Sequence, residues 1–358
     1  MIAHFISSLA HGGAEQVLIT LVQELQKRGY CQAVLYIHDG PHRATLAQLG
    51  IATYQMKGVF FRYDPFFLLR VIVCLWKLKP HLLHTSLWMA NLAGRIAARA
   101  LRLPIVHAYH NHASLDGAFR NRIDGISGAR YIPGIAASDQ TAQSLQIKGI
   151  DPKHISVVLN AVAQLPKKAE SWPFSDNTKS NFIIGMVARM HPVKNHKTLL
   201  LALRILAEQN VACIAVLVTD GQVPELVALI QQLQLQEKVQ WVIGKASQDY
   251  IPYFNCLILP SLSEGGIPLV IQEAMVLEIP CIVSQQANVA GIIEHERSGL
   301  LFDAPDFKAL ASCIKHLALH PEQALYMGRN GRQSLARVCC PDRMINGYLA
   351  VFEKLMCI

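Results

Sequence analysis

Residues 257–284 read LILPSLSEGGIPLVIQEAMVLEIPCIVS. Leu257 to Pro260 is a short apolar run, the kind found in a parallel strand covered on both faces. Ser261 to Gly266 follow with turn chemistry: two serines, an acid and paired glycines. Pro268 suits the first turn of a helix, where its missing N–H is not needed. The helix is expected to carry Val270, Ala274 and Leu277 inward and to end at Pro280. Strand, loop, helix and strand therefore follow one another within the stretch.

A loop that leaves a strand and opens a helix offers backbone N–H groups to an anion. Two carboxylates, Glu264 in the loop and Glu273 near the second turn, flank this helix start. A carboxylate accepts hydrogen bonds from hydroxyls. A nucleotide sugar carries a diphosphate, a ribose and a sugar ring, and so satisfies both features. An ordinary turn with a solvated acid satisfies the same local spacing.

The stretch resembles the nucleotide-binding signature of the retaining family 4 glycosyltransferases. That signature has an acid, a glycine-containing loop, a second acid, Ala-Met and a proline before the next strand. Here these are Glu264, Gly265, Gly266, Pro268, Glu273, Ala274, Met275 and Pro280. The family usually spaces its acids by seven residues, and this chain has eight between Glu264 and Glu273. The glycine pair is the expected place of the extra residue, because glycine adopts backbone angles that other residues avoid. The resemblance implies the GT-B fold: α/β, two Rossmann-like doubly wound domains facing across a cleft, with a C-terminal helix crossing back.

Length fits two domains, at 358 residues. With 52% apolar and 16% charged residues the chain is globular. Residues 1–170 hold 18 Lys and Arg against 9 Asp and Glu, whereas residues 171–358 hold 15 against 16. The basic front half suits an acidic partner such as anionic lipid, a phosphorylated glycan or nucleic acid. The nine cysteines form no CxxC pair, and most sit in apolar runs, which fits a reducing cytosol. No signal peptide is read at the start, and no run of 18 apolar residues occurs.

Taken in order, Ile2 to Ile6 is a strand followed by His11-Gly12-Gly13-Ala14-Glu15 and a helix. The family opens with such a GGxE turn facing acceptor and donor phosphate, which implicates Gly13. Asp64 to Lys79 reads as a helix mixing Phe66, Phe67, Leu69, Val73 and Trp76 with Arg70, Lys77 and Lys79. It fits a core helix with basic ends, or an interfacial helix on anionic lipid. Pro104 to Tyr109 is a strand ending at His110-Asn111-His112. His107, His110 and His112 lack a fourth ligand at metal spacing, so a structural role is the plainer one. The resemblance singles out His110 as the histidine approaching the donor sugar.

Ile183 to Ala188 restarts the alternation, with Arg189, Lys194 and Asn195 after it. Both cations are placed at the C-terminal edge of a sheet, able to pair a diphosphate or simply to be solvated. The family carries a matching Arg and Lys that hold the donor phosphates. Gly291 to Phe302 also matches the family, and Arg343 to Leu355 reads as the final amphipathic helix.

The expected domains are 1–163 for the acceptor, 164–180 as linker, 181–340 for the nucleotide sugar and 341–358 as the returning helix. The expected activity is retaining transfer of a hexose or N-acetylhexosamine from a UDP-sugar or GDP-sugar to a glycan or lipid-linked acceptor. Cell-surface polysaccharide or lipopolysaccharide synthesis is the expected setting. His110, Glu264, Arg189 and Lys194 are the expected catalytic residues. Gly13, Arg189, Lys194, Gly265, Gly266, Ile267, Pro268, Leu269 and Glu273 are the expected donor contacts. No metal and no cofactor are expected, and the lack of an Asp-x-Asp motif argues against a metal-dependent single-domain glycosyltransferase. No nucleic-acid partner is expected, and an anionic membrane surface is a candidate one. The expected location is cytoplasmic or peripheral at the inner face of the plasma membrane. A sugar-nucleotide epimerase and an inactive scaffold are the competing readings.

Overall fold

The computed structural model describes residues 1–58, 64, 66–110, 117–162, 173–174 and 181–356. The chain divides into two compact units: Met1–Ala161 with Pro341–Ile358, and Val162–Cys340. Of the segment expected as a linker, only Pro173 and Phe174 are among the described residues.

Unit 1 begins with β1 (Ile2–Ser8), α1 (Gly13–Lys27), β2 (Gln32–His38), α2 (His42–Gln48) and β3 (Ala52–Gln55). It continues with α3 (Phe67–Leu78), β4 (Leu82–Ser86), α4 (Trp88–Leu101), β5 (Ile105–Tyr109) and α5 (Ala118–Ile126). β6 (Gly134–Ala136), α6 (Asp139–Ile147) and β7 (Ile155–Val157) complete the first run. The strands form one parallel sheet in the order β3-β2-β1-β4-β5-β6-β7. Strand order reverses between β1 and β4, and ligands of doubly wound sheets bind outside the C-terminal strand ends at that point.

Side-chain alternation explains the two covered faces. On β1, Ala3 and Phe5 join Phe67, Val71 and Leu75 of α3 in one cluster, while Ile6 joins Leu18, Ile19 and Val22 of α1 in another. Burying both faces is why the strands read as near-continuous apolar runs.

Unit 2 contains β8 (Phe182–Val187), α7 (His196–Glu208), β9 (Cys213–Thr219), α8 (Pro224–Gln232), β10 (Val239–Ile243) and β11 (Cys256–Leu259). It goes on through α9 (Leu269–Val276), β12 (Cys281–Ser284), β13 (Leu300–Phe302), α10 (Phe307–Leu319) and α11 (Pro321–Val338). Its sheet is also parallel, in the order β10-β9-β8-β11-β12-β13, with the reversal between β8 and β11. Gly185 at the centre of β8 accommodates Phe254: a Cβ there would stand 1.9 Å from the ring.

α12 (Pro341–Met356) returns to unit 1. Its Tyr348 and Phe352 are buried against the His84 ring, at centroid distances of 5.6 and 5.5 Å.

Two expectations change. α9 turns Ile271, Gln272, Glu273, Ala274 and Met275 inward, whereas Val270 and Leu277 are only half-buried. Packing against α11 and neighbouring strands covers more of this short helix than one apolar stripe would. α3 is not an enclosed core helix: Phe67, Val71 and Leu75 are buried, but Phe66, Leu69, Val73 and Trp76 are exposed.

Candidate active site

The unit 2 site grows from loops at the C-terminal ends of adjacent strands. After β8 the chain runs through Arg189 to Asn195, where a short turn at Pro192–Lys194 leads into α7. Asn195 takes the left-handed backbone, φ 55° and ψ 45°, which asparagine tolerates better than most residues. Its Nδ2 donates to the Pro260 carbonyl at 3.2 Å, and Leu262 N donates to the Val193 carbonyl at 2.8 Å. Met190 N donates to Asp220 Oδ1 at 2.7 Å. The loops after β8, β9 and β11 are thus tied together.

Lys194 Nζ donates to Glu264 Oε1 at 2.5 Å, and both side chains are largely withdrawn from solvent. The cation expected on the phosphates and the acid expected on the sugar therefore share one place. Arg189 is exposed, and its guanidinium has no hydrogen bond or ion pair with the described residues.

α9 starts at Leu269, with Pro268 in extended conformation before it and no side chain capping the start. Gly265, Gly266 and Ile267 are buried. Neither Gly265 nor Gly266 adopts a positive φ. The extra residue between the acids is thus not absorbed by a backbone conformation reserved for glycine.

Glu273 is buried in α9. Its Oε2 accepts from Ser247 Oγ at 3.3 Å and its Oε1 from Gln248 Nε2 at 3.4 Å. Burial pushes its pKa from 4.5 up to about 7, against the opposing effect of these two donors. Sequence reading missed Ser247, Gln248 and Asp220 as supports of the site. No local pattern announces a contact made across 25 residues.

Gly13 and His110 belong to unit 1. Gly13 is the first residue of α1, and a Cβ built on it meets open space. At Gly12 a Cβ would stand 2.3 Å from Glu15 Oε2, so the acid of the GGxE turn folds back over that glycine. His110 follows β5 and is half-buried, and burial lowers its pKa to about 4. Its Nδ1 is shielded from solvent and has no partner among the described residues.

His107 is structural. Thr85 Oγ1 donates to Asn91 Oδ1 at 2.7 Å, so the 2.6 Å contact with His107 places a hydrogen on His107 Nδ1. His107 Nε2 then accepts from Arg95 Nη1 at 3.3 Å. His112 lies outside the described residues.

Two parallel, doubly wound units, the second with a cation and an acid paired in the loops at its switch point, have the architecture of the GT-B class. Residues 11–163 match the family described as Glycosyltransferase Family 4, and residues 168–334 match Glycosyl transferases group 1. The chain belongs to this family of glycosyltransferases. It is 25% identical over 307 residues to the Escherichia coli UDP-Gal:alpha-D-GlcNAc-diphosphoundecaprenol alpha-1,3-galactosyltransferase, covering 78% of this chain and 76% of that one. It is 24% identical over 296 residues to the Staphylococcus aureus capsular polysaccharide biosynthesis glycosyltransferase CapM, covering 74% of each. Among solved structures, Anabaena Alr3699/HepE in complex with UDP-glucose has a TM-score of 0.84 at 19% identity, over 99% of this chain and 100% of that one. WaaG, a glycosyltransferase involved in lipopolysaccharide biosynthesis, has a TM-score of 0.77 at 13% identity, over 98% and 99%.

Proposed function

We propose that this glycosyltransferase moves a hexose or N-acetylhexosamine from a UDP-sugar or GDP-sugar to a glycan or lipid-linked acceptor during cell-surface polysaccharide synthesis. The observation that carries the reading is the loop cluster of unit 2. It sets the Lys194–Glu264 pair and the buried Glu273 around the uncapped start of α9. The names of the E. coli and S. aureus relatives support the setting.

In this reading Arg189, Lys194 and the backbone at Gly265, Gly266, Ile267, Pro268 and Leu269 receive the donor diphosphate. Positive charge and helix N–H groups stabilise the leaving group as negative charge develops on it. No metal is assigned a part. Glu273 holds the ribose hydroxyls, and Glu264 holds the sugar while orienting the Lys194 ammonium. In the same reading Gly13 is a donor contact and His110 approaches the donor sugar. Retention follows the family: the acceptor attacks from the face the diphosphate leaves, and a phosphate oxygen takes its proton.

The test is incubation with a panel of UDP-sugars and GDP-sugars, with and without membrane extract. Transfer only in the presence of extract supports the reading. A new free sugar formed without extract points to an epimerase, and binding without turnover points to an inactive scaffold.

A further inference from the structure

α3 carries two apolar faces, and its sequence needs only one of them for the core. Phe67, Val71 and Leu75, at helical spacing, pack into the core of unit 1. Phe66, Leu69, Val73 and Trp76 form a second row, at 63, 53, 40 and 61% exposure. They recur every three or four residues, so they lie along one side of the helix. Four large apolar side chains in one exposed row differ from the scattered exposed residues of an ordinary surface.

The row has a cationic margin. Arg70 and Lys77 follow Phe66 and Val73 by four residues, and Lys79 ends the helix. Arg70 is held by Asp64 and by the Lys57 carbonyl. Lys77 and Lys79 are exposed and make no ion pair with the described residues. The row sits in the half of the chain with 18 basic against 9 acidic residues. Among the described residues no helix is long and apolar enough to cross a membrane.

We infer that α3 lies on an anionic bilayer surface, with Phe66, Leu69, Val73 and Trp76 entering the headgroup boundary and Lys77 and Lys79 meeting lipid phosphates. The reasons are the match of charge and the shape of the row. A helix of 12 residues with an apolar side and a cationic edge fits an interface lengthwise. Tryptophan favours that depth because its ring is apolar at one end and polar at the other. The buried face of α3 anchors it to β1, so unit 1 as a whole would be carried to the surface.

Flotation with phosphatidylcholine vesicles, with and without phosphatidylglycerol, tests this. The full chain should bind the anionic vesicles and release in high salt. Phe66→Ser with Trp76→Ser should weaken binding by about tenfold or more, since both rings leave the boundary. Lys77→Glu with Lys79→Glu should weaken it by roughly fivefold per lysine, and only on anionic vesicles. All four positions are exposed, so the unfolding midpoint should not move, and the charge pair keeps the test open if the apolar pair misfolds. Vesicle binding that neither pair changes overturns the inference. So does a wild-type chain that ignores vesicles and forms a dimer that Phe66→Ser with Trp76→Ser breaks, which assigns the row to a second copy. None of these residues is a proposed donor contact, so a chain without transferase activity would still bind, and the two readings fail separately.

Discussion

At the scale of single residues, Glu273 and the Lys194–Glu264 pair make separable demands. Burial lifts Glu273 from 4.5 to about 7, so between those values the folded chain keeps a proton that the unfolded chain has lost. Stability from this group is therefore fully present below pH 4.5 and is lost as pH rises through about 7. The span corresponds to about 3 kcal/mol at most. Denaturant unfolding of wild type and Glu273→Gln should show the wild type losing ground to the variant across this window, and a constant difference would rule out a protonated Glu273. Ribose hydroxyls bind best to the ionised form, so calorimetry should find donor affinity falling as pH drops below about 7. Lys194→Ala and Arg189→Ala should each weaken nucleotide binding by about 1–3 kcal/mol. Only Lys194→Ala should also lower the melting temperature, because it leaves the Glu264 carboxylate poorly solvated and without its cation. Arg189 is exposed and unpaired among the described residues, so its loss should be silent in the melt. Glu264→Ala should slow turnover and spare nucleotide affinity, and equal loss with Glu273→Ala would sink the proposed division of the donor.

At the scale of elements, the position of α9 depends on how closely α11 approaches it. A Cβ on Gly328 of α11 would stand 1.8 Å from the Glu278 carbonyl oxygen, just beyond the end of α9. The obstacle is backbone, so no side-chain rotation relieves it. Gly328→Ala should therefore push the two helices apart and cost about 1–3 kcal/mol in unfolding free energy. Because α9 carries Glu273 and the candidate anion site, nucleotide affinity should fall in the same variant. An unchanged affinity in a destabilised Gly328→Ala chain would mean that α9 keeps its place without α11.

At the scale of the whole molecule, the two units are expected to respond to acid in different ways. In unit 1, His4 Nε2 donates to Gln32 Oε1 at 3.1 Å, so its Nδ1, 2.9 Å from His84 Nδ1, accepts from that ring. Both rings are buried, and His84 packs against Tyr348 and Phe352 of α12. Burial lowers His4 to about 4 and holds His84 and His107 well below 6.5. Stability from these groups is present above pH 6.5 and is lost as pH falls toward 4, where the unfolded chain binds protons that the core refuses. Among the described residues of unit 2 one histidine is of this kind, His196, also lowered to about 4 by burial, and Glu273 offsets it in the opposite direction. Calorimetry between pH 6.5 and pH 4, with transitions assigned by limited proteolysis, should find unit 1 melting first and moving most. A transition of unit 2 that moves as far would mean that the histidine network is not the acid-sensitive part.

The amino-acid sequence by itself determined the alternation of strands and helices, because buried parallel strands and amphipathic helices leave local patterns. It also marked Arg189, Lys194, Glu264 and Glu273, since each stands beside a strand end or a helix start that is legible within a few residues. α5, α10 and α11 were not read from it, as their cues are spread over mixed polar and apolar positions. Only the tertiary structure decided that Lys194 pairs with Glu264 across 70 residues. It alone showed that Ser247 and Gln248 reach Glu273, and that α9 is covered on more than one side. The sheets bring distant strand ends together, and no local pattern records which loops become neighbours. The same holds for α3. Its sequence shows apolar residues all round, but which row meets the core and which meets solvent depends on what the sheet and α4 cover.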